Sequence, residues 1–479
     1  NKSIKKPEDP NYMPEYSFND LTFSLDSRLS NKWRLNAFGL FTLDALTLKL
    51  SENIRYDFDW HTCSANIGAT YTPNARNSFR FQLGEKLAYS QGSAEGSIPM
   101  GGGNRHYSII GRVAYSHSFS DKLQLNAGAK FEQARFETAD RPEGIGDYLI
   151  LSSNNKFNIS ETYADITYNI NQSFTFSGGI NFQVYNGASV TLALSPRAKL
   201  SYTRGGFSIW TDYSQTAQYL SLYPYFAVKT PVDIWYPLAK GMKPAICHQY
   251  SIGMGQETGS LSAYIGLFYK DMEHLKDFSS GMSTRYTTLT DEMIEGKGYA
   301  KGLELNLAFT SSKLNARMNY TLSESKRKFA DINEGRAFNP PYDVKHNVVI
   351  NGSYDFTPRL TLNALWTYSS GVYTTFPVGM AIAHDIAGSK QPPIIVPVYT
   401  DRYNYQLPAS HRLDMNIDYH IPCKHAALKL SLGAYNLYNQ SNPSFIYFKP
   451  VRSGSEMRVV PQSKVLLPFI PYISLRLNL

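Results

Sequence analysis

Two aromatic-rich stretches and one charged cluster are the places where this chain could do chemistry. Between residues 219 and 237 stand Tyr219, Tyr223, Tyr225, Phe226, Trp235 and Tyr236. Aromatic faces stack on sugars, haem or peptide side chains, and an exposed group of this size marks a binding surface. The plainer reading is that the rings pack on one another or stand at a membrane interface. Tyr399, Arg402 and Tyr405 form a second group open to the same two readings. Asp343, Lys345 and His346 fall within four residues and suggest a catalytic or metal role. Charges at the start of a strand more simply form ion pairs along a wall. The 10 histidines include no His-x-x-x-His pair. His411 and His420, nine apart on one strand, face opposite ways, so no zinc set emerges. His106, His248 or His384 leaves open a haem ligand offered from a loop. There is no Gly-x-Ser-x-Gly, no P-loop and no Ser–His–acid set. The chain therefore reads as a non-enzyme with no catalytic residue, no cofactor and no metal.

The elements that must position these residues are strands. Across residues 471–479, Ile473, Leu475, Leu477 and Leu479 share one face, while Ser474, Arg476 and Asn478 share the other. Side chains of a strand alternate faces with period two. The same logic places Leu123, Leu125, Ala127, Ala129 and Phe131 opposite Gln124, Asn126, Gly128 and Lys130, and sets Leu303, Leu305 and Leu307 opposite Glu304 and Asn306. About nineteen stretches repeat it, many twelve or more residues long, where strands of soluble sandwiches average five or six. The pattern predicts an all-β fold, a transmembrane antiparallel β-barrel with hydrocarbon outside and water within.

Composition agrees. The 479 residues are 42% hydrophobic and 14% aromatic, with Tyr 35 and Phe 26 against Trp 5, as two interfacial girdles would require. Mean hydropathy is −0.33. No run approaches 18 apolar residues, which excludes helical spans. The net charge of +8 comes from scattered polar faces and loops rather than a basic helix, which argues against nucleic acid. Cys63, Cys247 and Cys423 are too few and too far apart for a disulfide framework or a metal site, and read as small packing residues.

Short and long connections alternate. The short ones lie near residues 30–32, 73–78, 120–122, 171–173, 204–206, 258–260, 311–313, 357–358 and 422–425, and carry Gly, Pro, Asn, Asp and Ser. The long ones include 91–104, 139–154, 221–246, 277–295, 328–342 and 376–408. Trp33, Tyr71, Phe119, Phe174, Phe207, Phe356 and Tyr419 gather beside the short turns, as a periplasmic aromatic belt would. Counting hairpins gives nineteen strands, the first of them (residues 18–29) descending from the outside. Single-chain bacterial barrels have even strand numbers. The expectation is therefore that the sheet is completed by other polypeptide. Residues 1–17 read as an extracellular loop segment and 18–479 as barrel wall with large external loops.

From residue 295 onward the chain resembles the TonB-dependent outer-membrane receptors of Bacteroidetes type. Glu295-Gly-Lys-Gly-Tyr-Ala-Lys-Gly-Leu-Glu304 is similar to the family's Gly-x-Ala-x-Gly-x-Glu strand, and Phe338-Asn-Pro-Pro-Tyr-Asp-Val-Lys-His346 to its Phe-x-Pro-x-Tyr-Asp-x-x-His segment. Leu407-Pro-Ala-Ser-His-Arg-Leu-Asp-Met415 and Tyr435-Asn-Leu-Tyr-Asn-Gln-Ser-Asn-Pro443 resemble the two segments leading to its C-terminus. The resemblance is plain over residues 253–479 and pattern-level over 16–252. It implies a 22-stranded barrel filled by an N-terminal plug and driven through a TonB box. Matching residues 16–21 to the start of the fourth strand makes the chain strands 4 to 22. The plug and strands 1 to 3 are then expected on an N-terminal fragment, through which the TonB complex acts.

On this reading the protein sits in the bacterial outer membrane, among its lipids and lipopolysaccharide, and its barrel imports a nutrient. The aromatic loops are the expected substrate contacts. The apolar segment 392–397, with Pro392, Pro393 and Pro397, reads as a stiffened loop tip, or alternatively as a docking point for a surface lipoprotein. Two other roles stay open: a receptor-like scaffold for surface lipoproteins, and a passive porin.

Overall fold

Each apolar/polar alternation in this chain gives a strand two unlike faces, and a strand alone buries neither. Pairing edge to edge satisfies the backbone and aligns like faces. In the computed structural model this produces one long antiparallel sheet. Residues 15–478 are described, except 52–53, 96–99, 141–152, 224–233, 280–292, 384–393, 423–426, 444, 454–455 and 466. The wall strands are β1 (Glu15–Arg28), β2 (Trp33–Ser51), β3 (Ile54–Asn74), β4 (Asn77–Glu95), β5 (Met100–Ser118), β6 (Leu123–Asp140), β7 (Ser153–Asn169), β8 (Phe174–Asn186), β9 (Val190–Arg204) and β10 (Phe207–Gln218). They continue as β11 (Ala245–Thr258), β12 (Leu261–Phe278), β13 (Met293–Thr310), β14 (Leu314–Phe329), β15 (His346–Thr357), β16 (Leu360–Ser369), β17 (Ser410–Pro422), β18 (Ala427–Tyr435) and β19 (Ile470–Asn478).

Each strand pairs with its neighbour in this order, from Glu15↔Thr47 at one end of the ladder to Ala427↔Asn478 at the other. The sheet has nineteen strands, the number the hairpins predict. Its height is uneven. β2 to β5 run 19, 21, 19 and 19 residues, whereas β15, β16 and β18 run 12, 10 and 9.

The turns at one end are tight and locally encoded. Asn74 Oδ1 accepts the amides of Arg76 and Asn77, both at 3.0 Å, and Asn171 Oδ1 accepts those of Ser173 (2.8 Å) and Phe174 (2.9 Å). Ser30 and Ser120 do the same with their hydroxyls. Gly205 and Gly206, at φ +59° and +81°, form a two-residue turn that needs positive φ at both centres. At the other end the strands run further than the loop reading of 91–104 allows. β4 continues to Glu95 and β5 starts at Met100, because Gly101, Gly102 and Gly103 pair with Ser93, Gly92 and Gln91. Ladder hydrogen bonds do not depend on side chains, so glycines that read as a loop tip serve as strand. β1 likewise begins at Glu15, three residues before the expected start.

The two faces separate as the alternation requires. Outward, Trp33, Tyr71, Phe79 and Tyr115 are direct register partners across β2 to β5. Their rings stand 4.6, 6.3 and 4.7 Å apart in a continuous row beside the short turns. Ile473, Leu475 and Leu477 are 72%, 67% and 57% exposed on the same outward face. Inward, charge is matched by charge. Lys130 bridges Glu132 (3.0 Å) and Glu161 (3.1 Å), and Lys429 meets Asp418 at 2.6 Å. Arg197 grips Asp165 through Nε at 2.7 Å and a second nitrogen at 2.5 Å. No helix among the described residues is long and apolar enough to cross a membrane.

Candidate functional site

The long-loop end of the wall carries two apolar clusters. The first grows from strand positions whose parity is inward. Ala134 and Phe136 on β6, Phe157 on β7, Tyr185 on β8 and Ala193 on β9 are all buried. Against them lies a hairpin, Leu220–Tyr223 paired with Ile234–Pro237, between β10 and β11. Tyr219 lies nearly parallel to Tyr185, with centroids 5.0 Å apart and an interplanar angle of 4°. The stack continues through Phe157 (5.4 Å) and Phe136 (5.8 Å) to His106 (4.1 Å). Five rings from four adjacent strands and the hairpin thus form one inward ladder, and Leu238 seals it at 3% exposure. Burial pushes the Tyr219 phenol up to about 12, and its hydroxyl donates to Gln183 Oε1 at 3.4 Å. Tyr236 is also buried, whereas Trp235 is 45% exposed. Tyr223 belongs to the hairpin backbone; its side chain, with Tyr225 and Phe226, lies outside the described residues.

The second cluster joins three loops. Phe329, Ile332 and Phe338 pack together between β14 and β15, with Leu275, Ile294 and Tyr403 against them. Arg402 fastens this cluster. Its guanidinium reaches Asp277 Oδ1 at 3.4 Å and donates to the Ser279 carbonyl at 2.7 Å. Its backbone exchanges hydrogen bonds with the Asn333 side chain at 2.8 and 3.1 Å. Arg336 meets Asp401 at 2.9 Å beside it. Tyr403 is held in the left-handed region (φ 56°), a conformation that bulky residues adopt only when their surroundings enforce it. Here the enforcement is a donor bond from its amide to Thr375 Oγ1 at 3.1 Å and stacking on Phe338 at 5.7 Å. Burial raises its phenol to about 12. Tyr405 stacks on Phe376 at 4.8 Å, and Tyr399 is 52% exposed.

The aromatic groups read from sequence therefore divide. Tyr219 packs into the wall, Tyr236 is buried, Arg402 ties loop to loop, and Trp235, Tyr399 and Tyr405 are the members left presented. The Phe338–His346 segment is structural. Asp343, 4% exposed, accepts the Ser325 amide at 2.8 Å and the Asn339 side chain at 2.7 Å, so it organises backbone rather than joining the expected wall ion pair. His346 shares a hydrogen bond with Tyr320 (3.0 Å), and His248 shares one with Tyr213 (3.0 Å). His384 and Cys423 lie outside the described residues, as do Pro392 and Pro393. Ile394–Val398 pairs with Gly379–Ala383 as a hairpin. No group of three metal-ligating side chains occurs among the described residues.

The inward apolar patch on β6 to β9 is what sequence reading passes over. Its signal is present: beyond Glu132 the inward positions of β6 turn from charged to apolar at Ala134 and Phe136, so the alternation lapses where a loop must be covered.

Comparison with known proteins places this architecture. The family model described as TonB dependent receptor-like, beta-barrel, matches residues 6–437. The ferric yersiniabactin uptake receptor FyuA from Yersinia pestis superposes with a TM-score of 0.67 at 13% identity, covering 97% of this chain and 71% of that one. The ferric citrate transporter FecA gives 0.65 at 13%, covering 97% and 70%. The copper transporter OprC gives 0.64 at 11%, covering 98% and 72%. No curated protein sequence matches the chain.

Proposed function

The chain belongs to the TonB-dependent receptor β-barrel family, whose members are integral outer-membrane proteins working with TonB and a plug domain, and from that premise we propose that it forms the wall of a nutrient importer. The observation that carries the reading is the pairing of a charged, hydrogen-bonding inner wall with aromatic loops folded into its mouth. A passage lined by matched ion pairs stays hydrated without presenting a single strong charge to its cargo. A plug closes it until TonB pulls. On this proposal the plug and three further strands reside on polypeptide N-terminal to residue 1, and the strands here are the fourth to the twenty-second. The four segments from residue 295 onward support placing the protein with the Bacteroidetes-type members.

Ligand contact is assigned to the exposed loop aromatics Trp235, Tyr399 and Tyr405, with Tyr223, Tyr225 and Phe226 in the same loop as Trp235, while the buried Tyr219 and Tyr236 and the loop-tying Arg402 support them rather than touch the ligand. Trp235 and Tyr399 are the foremost, since their exposure leaves a face to stack. The relatives named above carry iron chelates and copper, so a scarce, bulky or chelated nutrient is the class to test. A surface lipoprotein docking near residues 392–397 would complete such a system. No catalytic step is part of the proposal.

Deleting the TonB box from the full-length gene tests import directly. Growth on the limiting nutrient should be lost while the barrel still reaches the outer membrane. Unchanged growth would favour the scaffold role instead, and steady ion conductance by the intact reconstituted protein would favour a passive porin.

A further inference from the structure

The described short turns share one architecture. In each, one residue closes the turn, and its carbonyl accepts an amide from the next hairpin. Lys32 accepts from Thr72 (2.8 Å), Arg76 from Ser118 (2.9 Å), Lys122 from Asn169 (2.8 Å), Lys313 from Asp355 (2.8 Å) and Arg359 from His420 (2.8 Å). In the other turns the same position is Ser173, Gly206 or Ser260, accepting from Thr203, Glu257 or Thr310. The position is thus a cation in most turns and an acid in none of those described. The sequence writes the device as Ser/Asn/Thr-x-Lys/Arg: Ser30-Asn-Lys32, Asn74-Ala-Arg76, Ser120-Asp-Lys122, Ser311-Ser-Lys313 and Thr357-Pro-Arg359. The amides of Lys32, Lys122 and Arg359 donate to the capping oxygen at 3.2 Å and that of Arg76 at 3.0 Å. The backbone under each charge is therefore fixed.

Lys32, Arg76, Lys122, Lys313 and Arg359 are all exposed, and among the described residues none of them enters an ion pair. Each comes just before a residue of outward parity (Trp33, Asn77, Leu123, Leu314 and Leu360), so each stands on the inner side of the rim. The carboxylates described at this level do not offset them. Asp26 is held by Arg34 at 2.6 Å, and Asp355 accepts the Thr361 hydroxyl at 2.6 Å. Asp121 adjoins Lys122, and Glu257 lies beside a neutral turn. Arg28 and Arg204 add further cations next to the first and fifth turns. The cationic positions occupy the first three turns and the seventh and eighth, with the neutral ones consecutive between them. Closing the wall brings the charges to one side of the exit.

We infer that Lys32, Arg76, Lys122, Lys313 and Arg359 form a docking surface for an acidic glycopeptide polymer, the carboxylate-bearing peptidoglycan mesh beneath the outer membrane. Short turns of such barrels face the periplasm. Within each group the charges recur on every second strand, hence about 10 Å apart. Evenly spaced point charges suit repeated carboxylates, each contact weak alone and strengthened by its neighbours. Lipid headgroups fit less well, because they meet the outward face, where Leu29, Phe119 and Phe356 are exposed. A globular partner would need apolar surface to bury. The tips offer only Ser30, Asn31, Ala75, Asp121, Ser312 and Pro358. The inference needs only that the short turns face the periplasm, and stands apart from any role in import.

The test mixes the full-length protein in detergent with purified Gram-negative sacculi, native or with their carboxyl groups capped as neutral amides, and measures the fraction that co-sediments. Native sacculi should bind about tenfold more tightly than capped ones, the combined worth of several exposed ion pairs, and the difference should shrink as salt rises. The variant Lys32→Gln/Arg76→Gln/Lys122→Gln/Lys313→Gln/Arg359→Gln should lose that preference. Lys49→Gln/Arg55→Gln, at the opposite end of the wall, should keep it. Equal binding to both kinds of sacculi overturns the surface, as does an unchanged variant or an equal loss in the control pair. Binding to phosphatidylglycerol vesicles that depends on the same cations, with sacculi left unbound, overturns it in favour of lipid. Should the full variant fail to fold, the wild-type comparison of the two sacculi still decides, with Lys32→Gln/Arg76→Gln/Lys122→Gln as the milder variant that should weaken the preference.

Discussion

Leu475 and Arg476 are neighbours in sequence that live in different solvents. Leu475 is 67% exposed on the outward face, and Arg476 is the register partner of Lys429 on the inward one. Replacing Leu475 with Arg should cost about 2–4 kcal/mol of insertion if it sits near the bilayer midplane. Arg476→Ser should be far milder, since water already solvates that face. The folded fraction after refolding into lipid vesicles measures both, and equal effects would mean the faces are misassigned. Tyr403 makes a second residue-scale case. Its phenol is raised from 10.0 to about 12 by burial, so the folded state holds its proton longer than the unfolded one. The stabilisation is complete below pH 10 and is lost as pH rises toward 12. Loop proteolysis of the wild type should accelerate across that window, and Tyr403→Phe should flatten the rise. Sequence alone flagged Tyr399, Arg402 and Tyr405 as a group. That Arg402 is spent on Asp277, Ser279 and Asn333 was not legible, because those partners lie 69 to 125 positions away.

Among elements, the hairpin holding Tyr219 is the one whose position has a clear cause. It is folded inward because β6, β7 and β8 offer Phe136, Phe157 and Tyr185 on faces that elsewhere are charged. Phe157 touches both Phe136 and Tyr185, so Phe157→Ala should break the ladder at its centre, at a cost of about 3–5 kcal/mol for a buried ring. Chymotrypsin should then cut after Tyr219, which the wild type shields; a wild-type digestion pattern would show that the ladder does not hold the hairpin. The wall strands themselves were legible almost throughout, since period-two alternation and Asn, Ser and Gly turns are local signals. Strand ends were not. Glycines 101–103 carry no side-chain pattern, and only the facing backbone of β4 makes them strand. Side-chain periodicity also gave no hint of the pairing of Phe445–Ser453 with Glu456–Lys464 before β19, where prolines at 450 and 461 interrupt the run.

Taken whole, the molecule is a partition between two media, and that much its sequence declares: outward aromatics in register, inward ion pairs, nineteen strands in chain order. What the sequence withholds is anything resting on a single long-range neighbour, which includes the loop clusters and therefore the cargo. One further consequence follows from the unequal strands. β2 to β5 are nearly twice as long as β15, β16 and β18. At a common tilt the tall strands climb about 50 Å and the short ones about half that. A bulky particle drifting in from the cell's surroundings therefore meets a parapet on one flank and a low sill on the other. On the low flank the connections carry hairpins of their own, Gly379–Ala383 with Ile394–Val398 and Phe445–Ser453 with Glu456–Lys464, so the rim there is made of loops, Tyr399 and Arg402 among them, and on the high flank of wall.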